Sequence, residues 1–394
     1  MQNDQLIYMD YSATTPVDDR VIEAMLPYWK EGWGNPSSSH QFGQTAKMGL
    51  ENARRTIANL LGSNPAEIVF TGSGSEADNL ALRGVMRAAA QSGRGNHLII
   101  SAIEHEAIHK TALQLADQPE YELTILPVDE FGLIDPQKLK QEIRPETVLV
   151  SIMAANNEIG TQQPFIELGQ ICKEHNVLFH TDAVQAAQYI DWNLDEMPID
   201  LLSLAPHKFY GPKGVGILYI RNGTPIVSTM TGGGQENGQR AGTSNVPFAV
   251  GAAKALELVS TEREATNLKL INLRDKLIRG ILDSFSADEV CLTGHPERRL
   301  PHHASFAFRN LPGGDLVMHL DLLGIASSSG SACSSGNPIP SPVLQAVGLD
   351  ATWNAGGMRF TLGKHSTTSD VDYLIDQLPA AIESLKQFST IVYG

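Results

Sequence analysis

Between residues 68 and 220 the chain keeps changing its hydrophobic period, and this limits the folds open to it. Short apolar runs have strand length and composition: Ile68 to Phe70, His97 to Ser101, Tyr121 to Pro127, Val148 to Met153, Val177 to His180 and Ile199 to Leu204. Helical stretches begin among them at Glu76 and Glu104, and another runs from Phe165 to His175. This alternation predicts a largely parallel, doubly wound sheet. Upstream, Leu6 to Met9 predicts a short strand, and Val17 to Trp29 and Gln44 to Leu61 predict helices. From about Pro247 the pattern turns helical, with Leu270, Leu273, Leu277, Ile281 and Phe285 at three- and four-residue steps. Ala304 to Phe308 predicts a strand, and the last predicted element is an amphipathic helix from Thr368. The expected architecture is α/β, with a large domain over 16–260 and a smaller α+β domain made of 1–15 and 261–394.

In an open α/β sheet the C-terminal strand ends line the ligand crevice, so residues just past each strand carry the functional argument. The segment Ser203-Leu204-Ala205-Pro206-His207-Lys208-Phe209-Tyr210-Gly211-Pro212-Lys213-Gly214 puts Lys208 in a turn between two strand-like runs. A lysine held there and desolvated loses its charge readily and attacks carbonyl carbon. The competing reading is a surface lysine in a hairpin. Ile68-Val69-Phe70-Thr71-Gly72-Ser73-Gly74-Ser75-Glu76 reads as strand, small-residue turn and helix start. Free N–H groups and a positive dipole end there suit a phosphate. No lysine follows as in a Walker A loop, and the dinucleotide fingerprint is incomplete, so the phosphate need not belong to a nucleotide. The alternative is an ordinary capped helix.

Asp182 follows the apolar run at 177–180, where a carboxylate can keep a ring nitrogen protonated, and Gln185 lies three residues on. A helix N-cap is the competing role for Asp182. Ser101-Ala102-Ile103-Glu104-His105-Glu106-Ala107-Ile108-His109 contains H-E-x-x-H. As a zinc hydrolase motif it would use His105 and His109 as ligands and Glu106 as base. The pattern is short, however, and no obvious third ligand follows, so His105 is better placed to stack on a flat ring. Ser327-Ser328-Ser329-Gly330-Ser331-Ala332-Cys333-Ser334-Ser335-Gly336 surrounds a cysteine with small residues, the setting of an accessible nucleophilic thiol. Cys172 reads as inert core. Cys291, with His295, His302 and His303, matches no standard metal spacing and reads as part of a loop.

Composition narrows the partners. The formal net charge of −15 argues against nucleic acid or an anionic membrane as a partner. Three widely separated cysteines fit a reducing compartment rather than a disulfide framework. No secretory signal pattern opens the sequence and no apolar run approaches a membrane span, so a cytoplasmic location is expected. Together, Lys208 for an aldehyde, Asp182 for a ring nitrogen, the 72–76 turn for a phosphate and His105 for a ring face describe a site for pyridoxal 5'-phosphate.

At this point the sequence resembles the cysteine desulfurase family of pyridoxal-phosphate enzymes, in the class-V aminotransferase-like group. The likeness runs nearly end to end, through YMDYSATTPVD, GNPSSSH, FTGSGSEADNLAL, SAIEHEAI, ANNEIGTQQP, HTDAVQ, PHKFYGPKGVG, GGGQENGQRAGTSN, SSSGSACSSG and MRFTLG. The extended segment around Cys333 resembles the longer-loop branch typical of iron–sulfur assembly and nitrogen fixation. The resemblance implies a fold-type I pyridoxal-phosphate transferase. It implies that Lys208 bonds the cofactor, His105 stacks on its ring, Asp182 pairs with the ring nitrogen, and Asn157 and Gln185 contact the ring and its substituents. Gly74, Ser75 and His207 would bind the phosphate, joined by Thr243 from the partner subunit of a homodimer. Arg359, helped by Asn35, would bind the substrate carboxylate.

The implied reaction removes sulfur from L-cysteine, leaving L-alanine and a persulfide on Cys333. An acceptor or iron–sulfur scaffold protein would take up that sulfur, and in such a complex Cys333 would sit close to a cluster. Lys208 and His105 would handle the proton at the substrate α-carbon. No resident metal is expected. Three positions depart from the family: Ala205 stands where a serine usually meets the phosphate, Ser75 replaces a threonine, and Lys364 replaces an arginine. Competing activities on the same fold are a cysteine or cystine lyase and a selenocysteine lyase. The zinc hydrolase using His105, Glu106 and His109 is the alternative from another class.

Overall fold

The computed structural model describes residues 6–329 and 341–393. In chain order the strands are β1 (Ile7–Tyr8), β2 (Ile68–Thr71), β3 (His97–Ser101), β4 (Glu122–Leu126), β5 (Thr147–Ser151) and β6 (Leu178–Asp182). They continue with β7 (Leu201–Leu204), β8 (Gly216–Ile220), β9 (Val290–Leu292), β10 (His303–Phe308), β11 (Ile325–Ala326) and β12 (Gly357–Thr361). The helices are α1 (Asp19–Lys30), α2 (Gln41–Leu61), α3 (Gly74–Ser92), α4 (Glu106–Ala116), α5 (Pro136–Glu142) and α6 (Phe165–Glu174). After these come α7 (Val246–Ser284), α8 (Gly313–Leu322), α9 (Pro342–Ala346), α10 (Ala351–Asn354) and α11 (Thr368–Tyr393).

The main sheet has seven strands in the order β2-β8-β7-β6-β5-β3-β4. Pairing from β4 through β7 is parallel, whereas β8 runs antiparallel to both β7 and β2. The C-terminal ends of β2, β3, β5, β6 and β7 therefore share one edge. Side chains alternate across the sheet, as strand geometry requires. Val69, Leu98, Ile100, Leu149, Leu201 and Leu218 join α3 and α4 in one apolar layer. Ile68, Phe70, Ile99, Val150, Phe179, Leu202 and Tyr219 face the opposite way, into the layer that includes α2 and α6. Burial on both faces explains why these strands read as continuous apolar runs.

Local chemistry sets the helix ends that matter to the site. Ser73 caps α3 by accepting from Glu76 N at 3.1 Å, and Gly93 ends the helix in the left-handed region at φ 67°. A helix expected from Glu104 instead begins at Glu106, because His105 is non-helical at φ −58° and ψ 150° and serves as the N-cap. Glu104 is thereby freed to turn inward and is buried.

Two smaller sheets lie elsewhere: β12-β10-β9, all antiparallel, and the parallel pair β1-β11. Strand β1 thus pairs with a strand more than three hundred residues away, joining Ile7 to Ile325. Helix α7 runs unbroken for 39 residues. It packs on α1 and α2 near its start and reaches α11, β9 and β10. Cys291, expected in a loop, lies in strand β9 opposite Ala307. No helix among the described residues is long and apolar enough to cross a membrane.

Candidate active site

The shared edge of the main sheet opens on a cavity of about 360 Å³. Its lining gathers Ser73, Gly74 and Ser75 past β2, His105 past β3, and Met153 and Asn157 past β5. Asp182, Val184 and Gln185 come from the end of β6, and Ala205, His207 and Lys208 from the turn after β7. Ser12 and Ala13 of the N-terminal loop, Asp78 of α3 and Arg359 of β12 complete it. Residues separated by hundreds of positions meet there because parallel strands deliver their following loops to one side.

Strands β7 and β8 do pair antiparallel, so Lys208 lies in a hairpin connection as the bland reading supposed. It is not a surface lysine, however. Pro206 starts a short 3-10 turn over Pro206–Lys208 that points the side chain inward. The Lys208 amine donates to the carbonyls of Ser12 at 2.6 Å and Ala13 at 2.7 Å. Burial, and then the nearby Arg359 cation, bring its pKa down from 10.5 to about 8. Gln188 donates to the Lys208 carbonyl at 2.9 Å and fixes the backbone beneath it.

Asp182 is the last residue of β6, and its Oδ1 accepts from Val184 N at 2.9 Å. This resembles an N-cap, but a run of turns follows rather than a helix. Burial raises the Asp182 pKa, and the charges of His105 and Lys208 and the Val184 N–H oppose that rise. Donor atoms of Asp78, His105 and Asp182 all lie within 4.8 Å of one another. His105 Nδ1 accepts from Ala107 N at 3.1 Å, which leaves Nε2 for other contacts. Glu104 accepts from Ser101 Oγ at 2.5 Å and from Met153 N at 3.0 Å, and burial pushes its pKa up to about 8.

The other end of the cavity suits a phosphate. Ser73 Oγ is occupied with Glu76 N, while Gly74 and Ser75 are the first residues of α3 and have no intrahelical acceptor for their N–H groups. A Cβ on Gly74 would stand 3.1 Å from the Ala205 Cβ and 3.2 Å from Val184 Cγ2, so the floor admits glycine and little more. A Cβ on Gly216, at the start of β8, would lie 2.2 Å from the Ser73 carbonyl oxygen; this close approach holds the turn down. His207 Nδ1 lies 3.1 Å from Thr14 Oγ1, and burial followed by the Lys208 charge brings the imidazole pKa down to about 4.

Arg359 donates to Asp10 Oδ1 and to the Asn157 carbonyl, each at 2.9 Å. Its Nε is buried and has no partner among the described residues, and the side chain lines the cavity, where a planar guanidinium suits a carboxylate. His303 Nε2 lies 3.1 Å from the same Asn157 carbonyl, and His302 Nε2 lies 3.0 Å from Ser12 Oγ. These two histidines buttress the cavity wall and do not form a metal set with Cys291. Lys364, one of the departures from the family, pairs with Asp18 and stands 4.3 Å from the centre of the Tyr210 ring.

Several expected residues are not gathered into the cavity. Asn35 is exposed and caps its own turn, accepting from Ser37 N at 2.9 Å, so within one chain it does not join Arg359. Thr243 lines a different cavity of about 240 Å³, together with Thr71, Gly72 and Arg240. Cys333 lies outside the described residues. The H-E-x-x-H set is separated: Glu106 is exposed and pairs with Lys110 at 3.0 Å, and His105 is the cap rather than a helical position. Among the described residues, the His, Cys, Asp and Glu side chains that converge are Asp78, His105 and Asp182 instead.

Ser12, Ala13 and Asp78 line the cavity without a sequence signal that marks them. The first two contribute backbone carbonyls, which carry no side-chain signal. Asp78 lies inside a helix pattern as an unremarkable polar residue.

The Aminotransferase class-V family model matches residues 7–374. A protein of Dictyoglomus turgidum named cysteine desulfurase IscS is 46% identical over 383 residues, covering 97% of this chain and 96% of its own. One of the same name from Methanosarcina thermophila is 45% identical, covering 98% of this chain and 94% of its own. Among solved structures, a NifS-like protein superposes with a TM-score of 0.90 at 37% identity, covering 97% of this chain and all of its own. The structure titled "SspA in complex with cysteine" superposes with a TM-score of 0.79 at 34% identity, covering 92% of this chain and all of its own.

Proposed function

The chain belongs to the class-V aminotransferase family, and from that premise we propose that it is a pyridoxal-phosphate-dependent cysteine desulfurase. What carries the reading is one cavity that gathers the buried Lys208 amine, Asp182, the Gly74–Ser75 helix start and the Arg359 guanidinium.

The residues present fit the cofactor. The free N–H groups of Gly74 and Ser75, with His207, suit the phosphate; Asp182 suits the ring nitrogen; and the His105 imidazole, Asn157 and Gln185 suit the ring and its substituents. Gln185 already spans the site, donating to the Ser12 carbonyl at 3.0 Å. Ala205 offers the phosphate no hydroxyl, so the helix N–H groups take a larger share of its binding. When bound, pyridoxal phosphate supplies an electron sink for the pair released at the substrate α-carbon.

The remaining work falls to the chain. Arg359 orients the L-cysteine carboxylate through its planar fork, and rigidity comes from Asp10 and the Asn157 carbonyl. Lys208, neutral in part near pH 7, takes and returns the proton at the α-carbon, and His105 is placed beside it as a second proton carrier. The Cys333 thiolate attacks the substrate sulfur; the carbon–sulfur bond breaks and a sulfur–sulfur bond forms. The carbon skeleton leaves as L-alanine and the sulfur stays as a persulfide for an acceptor, which we take to be an iron–sulfur assembly scaffold.

The same reading includes a homodimer in which Thr243 of the partner subunit completes the phosphate site, and a cytoplasmic location. It also includes a large domain over 16–260 and a small one from 1–15 and 261–394, an assignment supported by strand membership of the sheets, with α7 passing from one to the other.

Product analysis with L-cysteine and a reductant tests the reaction. Alanine with stoichiometric sulfide is expected, whereas pyruvate with ammonia would mean a lyase and leave Cys333 without a role. Cys333→Ala should keep the visible absorbance of the lysine-bound cofactor and lose alanine formation; unchanged turnover would remove Cys333 from the mechanism.

A further inference from the structure

Beneath the ring-binding end of the cavity lies a chain of buried polar groups that the reaction does not use. His180, on β6, has both ring nitrogens engaged: Nδ1 lies 2.8 Å from Ser151 Oγ and Nε2 lies 3.0 Å from Ser203 Oγ. Burial brings its pKa down to about 3, so the imidazole is neutral. The Ser203 hydroxyl, on β7, also favours the charged form of Asp78, on α3.

A neutral imidazole donates from only one nitrogen. If Ser151 donates to Nδ1, His180 donates from Nε2 to Ser203, whose own hydrogen is then free to turn toward Asp78. Asp78 Oδ1 is buried, lies 3.8 Å from His180 Nε2 and has no hydrogen-bond partner among the described residues. Asp78 is 1% exposed, and its carboxyl lies within 4.8 Å of that of Asp182. Two carboxylates so close and so dry do not both ionise.

The surroundings decide which one keeps the proton. Asp182 Oδ1 accepts from the Val184 N–H, and His105 and Lys208 stabilise its charge, while Asp78 Oδ1 accepts from no described group and the Ser203 hydroxyl alone is a weaker support than that set. Glu104, reaching in from the turn after β3, brings no compensating cation, and once ionised it too disfavours charge on Asp78. Arg359 faces Lys208 from across the cavity.

We propose that Asp78 holds a proton and acts as a positioning residue behind Asp182, so that the pair presents one negative charge to the ring nitrogen. This deepens the reading of the same site and rests on it only for what the charge serves. The paired charge then matches a single protonated ring nitrogen, with no second anion to hold an extra cation in the cavity.

Infrared difference spectra of the cofactor-free protein at neutral pH test the protonation directly. Wild type minus Asp78→Asn should show loss of a neutral-carboxyl carbonyl band. Loss of a carboxylate band instead would overturn the proposal. In the cofactor-loaded protein, Asp78→Asn should move the pH midpoint of the visible absorbance by less than about 0.3 unit. Removal of a true charge at this range shifts a neighbour by about one unit or more, and a shift of that size would also overturn it. If Asp78→Asn does not fold, Asp182→Asn serves: with its neighbour's charge gone, the neutral-carboxyl band of Asp78 should titrate away at lower pH than in wild type. An unmoved midpoint would refute the coupling. The infrared result requires neither cofactor nor cysteine, so failure of the desulfurase reading would show in the product analysis alone.

Discussion

The Lys208 amine offers the sharpest test of how the fold prepares the site. Its pKa falls from 10.5 to about 8. At pH 7 an amine with a pKa of 8 is about 9% neutral, against about 0.03% for an ordinary lysine, a difference of roughly 300-fold in nucleophile. The perturbation is a pair of charge removals with opposite signs. Arg359 lowers the Lys208 pKa and Asp182 raises it. Arg359→Gln should therefore move the midpoint above 8, and Asp182→Asn should move it below. The assay is reductive labelling of the cofactor-free protein with an aromatic aldehyde and cyanoborohydride across pH, with Lys208 identified by peptide mapping. A wild-type midpoint near 10.5, or both variants moving it the same way, would refute the electrostatic account. Lys213, five residues on, is the internal comparison, since it lies outside the cavity lining.

Two further outcomes follow from buried charge. Glu104 has its folded pKa raised from 4.5 to about 8, so between those values the folded chain holds a proton that the unfolded chain releases. Stability should fall as pH rises through that window, by at most about 1.4 kcal/mol per unit from this group, and then level off above it; Glu104→Gln should flatten the slope in urea unfolding, and an unchanged slope would exclude Glu104 as its source. Arg54 on α2 pairs with Glu236 at 2.7 Å, and Glu236 also accepts from Phe70 N at 3.0 Å, all of it buried. Glu236→Ala removes the buried partner and leaves Arg54 with the half-exposed Glu51 at 3.3 Å and the Ile68 carbonyl; it should cost about 3 kcal/mol in denaturant unfolding, whereas a loss below about 1 kcal/mol would mean that Glu51 and water replace Glu236.

Much of the fold was legible because strand burial and helix amphipathicity are written in local periodicity. The six strand runs read between residues 68 and 204 all appear, and β3 keeps the bounds His97–Ser101. The antiparallel turn of β8 was not legible as a sheet position, since pairing direction depends on where a strand lands rather than on its residues. Strands β9 and β12, and helices α5 and α8, are short or take their character from neighbours, so they left little periodic trace. Within the site, Lys208, Asp182, His105 and Gly74 stood out because each follows a recognisable strand.

The sequence by itself determined the α/β layers, the side of the sheet that carries chemistry, and the residue types that suit a phosphate-bearing aldehyde. It did so because those features depend on contacts within a few residues of one another. Only the tertiary structure decided the protonation states and the supports. The Lys208 amine owes its lowered pKa to burial beside Arg359, 151 positions away, and its cradle to the carbonyls of Ser12 and Ala13. Asp78 and Asp182 come within 4.8 Å of one another only when α3 and the end of β6 meet. Desolvation and charge proximity are properties of packed space, and no local pattern in the chain records them.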